Sequence, residues 1–350
     1  MKMNYMVVLL SIFFLTVGTS FAKQTFSFDN TMTVRELAKA NNFNTRKLIH
    51  ELDEDLGLLS VKPDAIVEDI GLTKKQFKKI YLHMHEDLTP LVILGMSLWV
   101  IIAVFVIILL KKKKLTRIIR VILFLFVILF FGVFLHAKPC AMETMVKFFK
   151  ATVGRESWHL KIIFLSFFTL FGVVASNLFC SIGCQIGVLQ DLIFQLFRMK
   201  KIKHKKLPFW LTNGIRVLTF LMFLLFMYNI LDGFKTCSLY HDVNIFKVYI
   251  LSLTTIGLVT FISVILLSSI VYRPYCSLIC PFGVWSWITS HLSILRIKIR
   301  HDECTQCGKC VEVCPNDAMK GILENKKIKS DCYLCGECLN QCPTKCIELK

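Results

Sequence analysis

The residues of this chain best suited to chemistry are its 15 cysteines, and most of them fall into two patterns. Residues 304–315 read CTQCGKCVEVCP and residues 332–343 read CYLCGECLNQCP. Each is C-x2-C-x2-C-x3-C-P. In such a run three thiolates of one tight loop take three irons of a cubane, while the fourth, ahead of a proline, ligates the other cluster. The spacing therefore assigns Cys304, Cys307, Cys310 and Cys342 to one 4Fe–4S cluster, and Cys332, Cys335, Cys338 and Cys314 to a second. Gly308 and Gly336 stand where the loop needs an unhindered backbone. C-x2-C pairs also bind zinc, but two complete copies, each with its proline, favour iron–sulfur. Cys346 is left over and reads as an ordinary thiol.

A second pattern lies upstream. Residues 180–188 read CSIGCQIGV and residues 276–284 read CSLICPFGV, both C-S-x-x-C-x-x-G-V. Cys140 and Cys237 recur at nearly the same offset, so the middle of the chain reads as two repeats running in the same direction. Parallel repeats imply a pseudo-twofold axis along a membrane normal, which brings equivalent elements together. Cysteines at i and i+4 lie on one face of a helix. Cys180, Cys184, Cys276 and Cys280 are thus expected to meet as four soft ligands for a further metal or iron–sulfur centre. The bland alternative is that each is a small buried residue. The copies differ at one position, Gln185 against Pro281, so the two helix ends need not break alike.

Elements that must position these groups come next. With 55% hydrophobic residues and 30 Phe, the chain has apolar stretches of spanning length near 91–110, 118–136, 160–180, 209–231 and 246–271. Residues 1–22 show a basic start, an apolar run and a small-x-small end, the pattern of a cleaved signal peptide. Lys111 to Lys114 with Arg117 and Arg120, and the cluster from Arg198 to Lys206, mark cytoplasmic loops. This orientation puts the N-terminus outside and the C-terminus in the cytoplasm. The net charge of +18 is then a topology signal rather than a nucleic-acid footprint. The tail agrees, since it carries seven Lys against eight Asp and Glu.

The expected fold is a mainly α membrane protein. A five-helix transmembrane bundle with an internal parallel repeat (91–283) follows the signal peptide (1–22) and a small helical extracytoplasmic domain (23–90). An amphipathic interfacial linker (284–300) leads to a C-terminal α+β two-cluster ferredoxin domain (301–350). Thr33-x-x-Glu36 and Thr73-x-x-Gln76 are capping boxes predicting helices near 34–41 and 74–85. The outer loops hold Cys140 and Cys237, near His136, Met142, Met145 and His241. In an oxidising compartment the pair is expected to form a disulfide, with a copper site from the same set ranked below it. The c-type haem attachment motif C-x-x-C-H occurs nowhere.

Paired C-x3-C motifs at helix ends, together with a two-cluster tail, make residues 115–350 resemble the NapH/NosR/CcoG-like polyferredoxin membrane proteins, a group of 4Fe–4S-binding membrane proteins. The resemblance implies electron transfer across or into the bacterial inner membrane, commonly linked to quinol. The expected function is passage of electrons between cytoplasmic-side clusters and a quinol/quinone pool or an extracytoplasmic acceptor, with no catalytic residue on this chain. The alternative is a maturation factor that reduces a metal or thiol for a client enzyme. No phosphate loop or nucleophile–base pair suggests hydrolysis or kinase chemistry.

Overall fold

Helices begin where side chains exist to cap them. Thr33 accepts from the Glu36 backbone while the Glu36 carboxylate accepts from the Thr33 N–H, closing a capping box ahead of α1, Val34–Ala40. Thr73 and Gln76 exchange the equivalent bonds at 3.3 and 3.0 Å ahead of α2, Lys74–Met84. Both helices start where the sequence predicts. Val34, Leu37 and Ala38 of α1 pack with Phe77 and Ile80 of α2 and with Val67 and Leu72 between them. Phe28 and Tyr81 complete an aromatic seam around Phe77.

The computed structural model describes residues 27–41, 43, 45, 48–49, 52, 61–84, 90–136, 140–152, 158–199, 204–228, 245–250 and 254–350. The expected signal peptide, Cys237 and His241 lie outside them. The chain divides into two units, Met1–Ile93 with Val146–Phe167, and Leu94–Met145 with Phe168–Lys350.

The protein is mostly helical with a C-terminal ferredoxin-type region. α3 (Pro90–Lys111) leads to α4 (Arg117–Val127), which continues as a π-helical segment, Ile128–Phe134. After α5 (Ala141–Thr152) come α6 (Trp158–Ala175), α7 (Leu178–Ile182) and α8 (Gln185–Met199). The sequence of elements then recurs: α9 (Phe209–Met227), a 3-10 turn at Ile245–Ile250, α10 (Thr255–Ser268), α11 (Pro274–Leu278) and α12 (Pro281–His291). α4, α6, α7 and α8 are thus matched in order by α9, α10, α11 and α12. In the second unit Trp99 of α3 stacks on Phe131 at 4.8 Å and meets the Phe179 edge at 4.9 Å.

Among the described residues two helices, Val92–Lys111 and Arg117–Phe134, are long and apolar enough to cross a membrane; Ile162–Ala175, Phe209–Leu225 and Thr255–Ser268 are shorter apolar helices. The third expected span is cut short because Ser176 adopts a left-handed backbone (φ 51°), so the chain restarts as α7. The fifth starts late, where Thr254 accepts from the Gly257 N–H and caps α10. Residues 284–300 hold the end of α12, a turn and β1.

The tail is a small two-layer unit. β1 (Ile297–Ile299) and β2 (Ile347–Leu349) pair antiparallel, with Lys298 opposite Glu348. α13 (Lys309–Val313), α14 (Ala318–Leu323) and α15 (Glu337–Gln341) lie between them.

Candidate iron–sulfur centres

Both cysteine runs of the tail build the same loop. Gln306 and Leu334 are left-handed at φ 51° and 48°, and Gly308 and Gly336 at 72° and 80°. These curls reverse the chain within each C-x2-C-x2-C stretch, and the glycines then start α13 and α15. One cavity, about 360 Å³ of empty space, is lined by Cys304, Cys307, Cys310 and Cys342. A second, about 410 Å³, is lined by Cys314, Cys332, Cys335 and Cys338. In each, three cysteines come from one run and the fourth from the other. Burial pushes the Cys332 thiol up to about 12. It also pushes Cys335 up, to about 11, against the pull of the nearby Arg120. Four thiolates in one cavity repel one another unless a cationic core lies between them, so the donor set fits a cluster. Among the described residues no group of three His, Cys, Asp or Glu is set to hold one metal ion.

The repeated C-S-x-x-C segments share one geometry. A short helix (α7 or α11) ends, the chain turns at one residue, and the second cysteine precedes a new helix (α8 or α12). The Cys184 N–H bonds Phe179 O at 2.9 Å, and the Cys280 N–H bonds Tyr275 O at 3.0 Å. The expectation that each pair shares one helix face is therefore corrected, since the two cysteines bracket a break. Pro281 explains this in the second copy, where it sits at the first position of α12. Gln185 in the first copy breaks alike. The glycine common to both gives the reason: a Cβ on Gly187 would lie 2.6 Å from Cys180 O, and one on Gly283 2.5 Å from Cys276 O. The new helix packs its third residue directly on the carbonyl of the first cysteine, which no larger residue allows.

The structure brings these four cysteines into one neighbourhood. Cys184 and Cys280 pack on a common apolar cluster with Ile186 and Tyr275. The Cys276 sulfur accepts from Gln190 Nε2 at 3.4 Å. Cys180 packs against Phe194, Tyr272 and Tyr333 and lies within electrostatic range of Cys184, Cys276 and Cys280. Cys140 shares the apolar cluster of Cys184 and Cys280, 5% exposed. Its neighbour Met142 accepts from the Tyr275 hydroxyl at 3.0 Å. Met142 and Met145 are buried and His136 is exposed.

Two functional groups escaped the motif reading. Arg120 and Arg216 stand 96 residues apart, the offset of the C-S-x-x-C motifs, and both are buried. Arg120 is thus not a solvated loop charge. It donates to Asp191 at 3.2 Å and to Glu337 at 2.8 Å. Arg216 donates to Asp331 at 2.6 Å, which also accepts from Asn177 at 3.1 Å. The two arginines thereby hold opposite ends of the 331–337 loop, which carries Cys332 and Cys335. Arg273, fully buried, pairs with Asp191 at 2.8 Å and bonds the carbonyls of Cys180 and Ser181. Its guanidinium lies 4.7 Å from the Tyr333 ring centre. Tyr333, next to Cys332, thus links the second tail cavity to Cys180. The repeat offset, applied to charged residues as well as cysteines, would have found the arginine pair.

Comparison with known proteins points to the same segments. A model described as a 4Fe–4S binding domain matches residues 158–204 and again 253–299, each match containing one C-S-x-x-C motif. A second model of the same description matches residues 297–320, over the first tail run. The chain thus carries 4Fe–4S ferredoxin-type domains, and the matches support an iron–sulfur electron-transfer family. Among curated relatives, the putative electron transport protein YccM of Escherichia coli strain K12 is 28% identical over 161 residues, 43% of this chain and 44% of the relative. The methylamine utilization ferredoxin-type protein MauN of Methylobacillus flagellatus is 24% identical over 156 residues, covering 44% and 52%. The uncharacterized protein MJ0749 of Methanocaldococcus jannaschii is 26% identical over 145 residues, covering 41% and 52%. The matched segments span about half the length of these relatives. No solved structure matches.

Proposed function

We propose that this chain is a membrane-bound protein of the NapH/NosR/CcoG-like kind, passing single electrons between two 4Fe–4S clusters in its tail and a quinol/quinone pool or an outer-face acceptor. The observation that carries the reading is the continuity from the second tail cavity through Tyr333 and Arg273 to Cys180. When bound, the clusters supply one-electron chemistry at potentials set by nearby charge, hydrogen bonds and exposure. Cys304, Cys307, Cys310 and Cys342 hold the outer cluster, whose Cys307 is exposed toward a soluble partner. Cys332, Cys335, Cys338 and Cys314 hold the inner one, with Arg120 beside Cys335. Cys180, Cys184, Cys276 and Cys280 hold a third centre in this reading.

Membrane placement draws on exposed apolar side chains along α3, α4, α9 and α10, among them Phe105, Ile122, Leu218 and Leu266. In water such a belt would be an aggregation surface. The lysines after α3, together with Lys205 and Lys206, would then face the cytoplasm. Lys113 and Lys206 already donate to tail carbonyls, at Lys345 and Val311.

The test is iron and acid-labile sulfide per chain after anaerobic purification in detergent, on the parent and on Cys180→Ala/Cys280→Ala. Two cubanes give about eight irons. More than this in the parent, falling to about eight in the variant, establishes the third centre. A parent without sulfide refutes the iron–sulfur reading. Failure of a quinol analogue to reduce the clusters in membranes refutes the quinol link.

A further inference from the structure

Cys346 belongs to no C-x2-C run, yet it lines the same cavity as Cys304, Cys307, Cys310 and Cys342. Its sulfur lies 3.5 Å from that of Cys342, and the residue is 2% exposed. The backbone dictates this contact. After Pro343 the chain curls through a left-handed Lys345 (φ 55°), with the Lys345 N–H on Cys342 O at 3.3 Å. The Arg300 N–H then fixes Cys346 O at 3.0 Å, and Ile347 enters the β2 pairing opposite Ile299. The first run offers no equivalent: position 318, four residues after Cys314, is Ala318. The second tail cavity has four cysteines and the first has five.

We infer that Cys342 and Cys346 are interchangeable ligands of the same iron of the outer cluster. This inference rests on the proposed 4Fe–4S occupancy of that cavity. Two sulfurs in contact, with an S–H···S hydrogen bond between them, need only a side-chain rotation to trade places. In the exchange the Cys346 sulfur forms a bond to the iron while the Cys342 sulfur releases it. The proton on Cys346 passes across the hydrogen bond to Cys342. No electron is gained or lost, and the charge of the site is unchanged, so no other reactant is needed. The consequence is a cluster that survives loss or oxidation of its most C-terminal ligand.

The test uses the full chain, purified anaerobically, as Cys342→Ala, Cys346→Ala and the double variant. The readouts are iron and acid-labile sulfide per chain and the low-temperature electron paramagnetic resonance of the reduced protein. Both single variants should keep the parent iron content, and the double variant should lose about four irons. Cys342→Ala should shift the outer-cluster signal while leaving the inner-cluster signal in place. Loss of iron in either single variant overturns the inference, whether it comes from one cluster or from general unfolding, because an interchangeable ligand would have prevented both. Full iron in the double variant overturns it too. If the parent itself holds no cubane iron, the occupancy reading fails instead.

Discussion

Asp331 is the residue whose loss should do most to free the tail from the helices. Its carboxylate is 5% exposed and accepts from Arg216 at 2.6 Å and Asn177 at 3.1 Å. In Asp331→Ala the Arg216 guanidinium stays buried, with only Asn213 at 2.9 Å to receive a hydrogen bond. An uncompensated buried charge of this kind costs about 3–5 kcal/mol. If the cost falls on the local opening of the 331–338 loop, amide exchange there should speed up by roughly two to four orders of magnitude. Hydrogen–deuterium exchange of the detergent-solubilised protein reads this directly, with residues 34–40 as an internal reference. Arg216→Met/Asp331→Leu should recover most of the loss, since removing both charges leaves neither stranded. If Asp331→Ala speeds exchange less than about tenfold, the pair is solvent-screened like a surface ion pair, and the argument for a buried clamp is wrong.

Gly187→Ala and Gly283→Ala should each lower the thermal midpoint, at a cost of about 1–3 kcal/mol, because the added methyl meets the Cys180 or Cys276 carbonyl. Gly214→Ala, with nothing within 4 Å of its added carbon, should instead stabilise α9 by about 0.5–1 kcal/mol, and thermal scanning separates the two outcomes. Thr33→Ala removes one half of the capping box and should cost about 1 kcal/mol, visible as faster amide exchange across α1 with no change in iron content.

The amino-acid pattern reveals the cysteine runs, the repeat and the capping boxes because each depends on residues close in sequence. Which cysteine joins which cavity was legible too, through the general behaviour of the C-x2-C-x2-C-x3-C-P run. The break inside C-S-x-x-C was not. A spacing of four is the same in a continuous helix and in two helices joined at a turn, and only the glycine three positions on, pressed against a carbonyl, distinguishes them. The charge pattern groups Arg120 with its neighbours in a basic loop. A charge run reports average solvation, whereas the fate of this one guanidinium depends on Asp191 and Glu337, 71 and 217 residues away. Cys346 is incidental in the pattern for the same reason: its partner is set by a left-handed turn that no residue-type preference at Lys345 announces.

The grip on the 331–337 loop has a consequence for how such a protein could have been assembled. Arg120 and Arg216 are equivalent positions of the two repeats, yet each takes a different end of a single loop, Glu337 on one side and Asp331 on the other. Two unfused copies of the repeat would each offer one such arginine, on separate chains. The loop has one end for each arginine, so a single ferredoxin module would engage two copies of the repeat. Carrying both repeats in one polypeptide brings the two arginines to that one loop by covalent means.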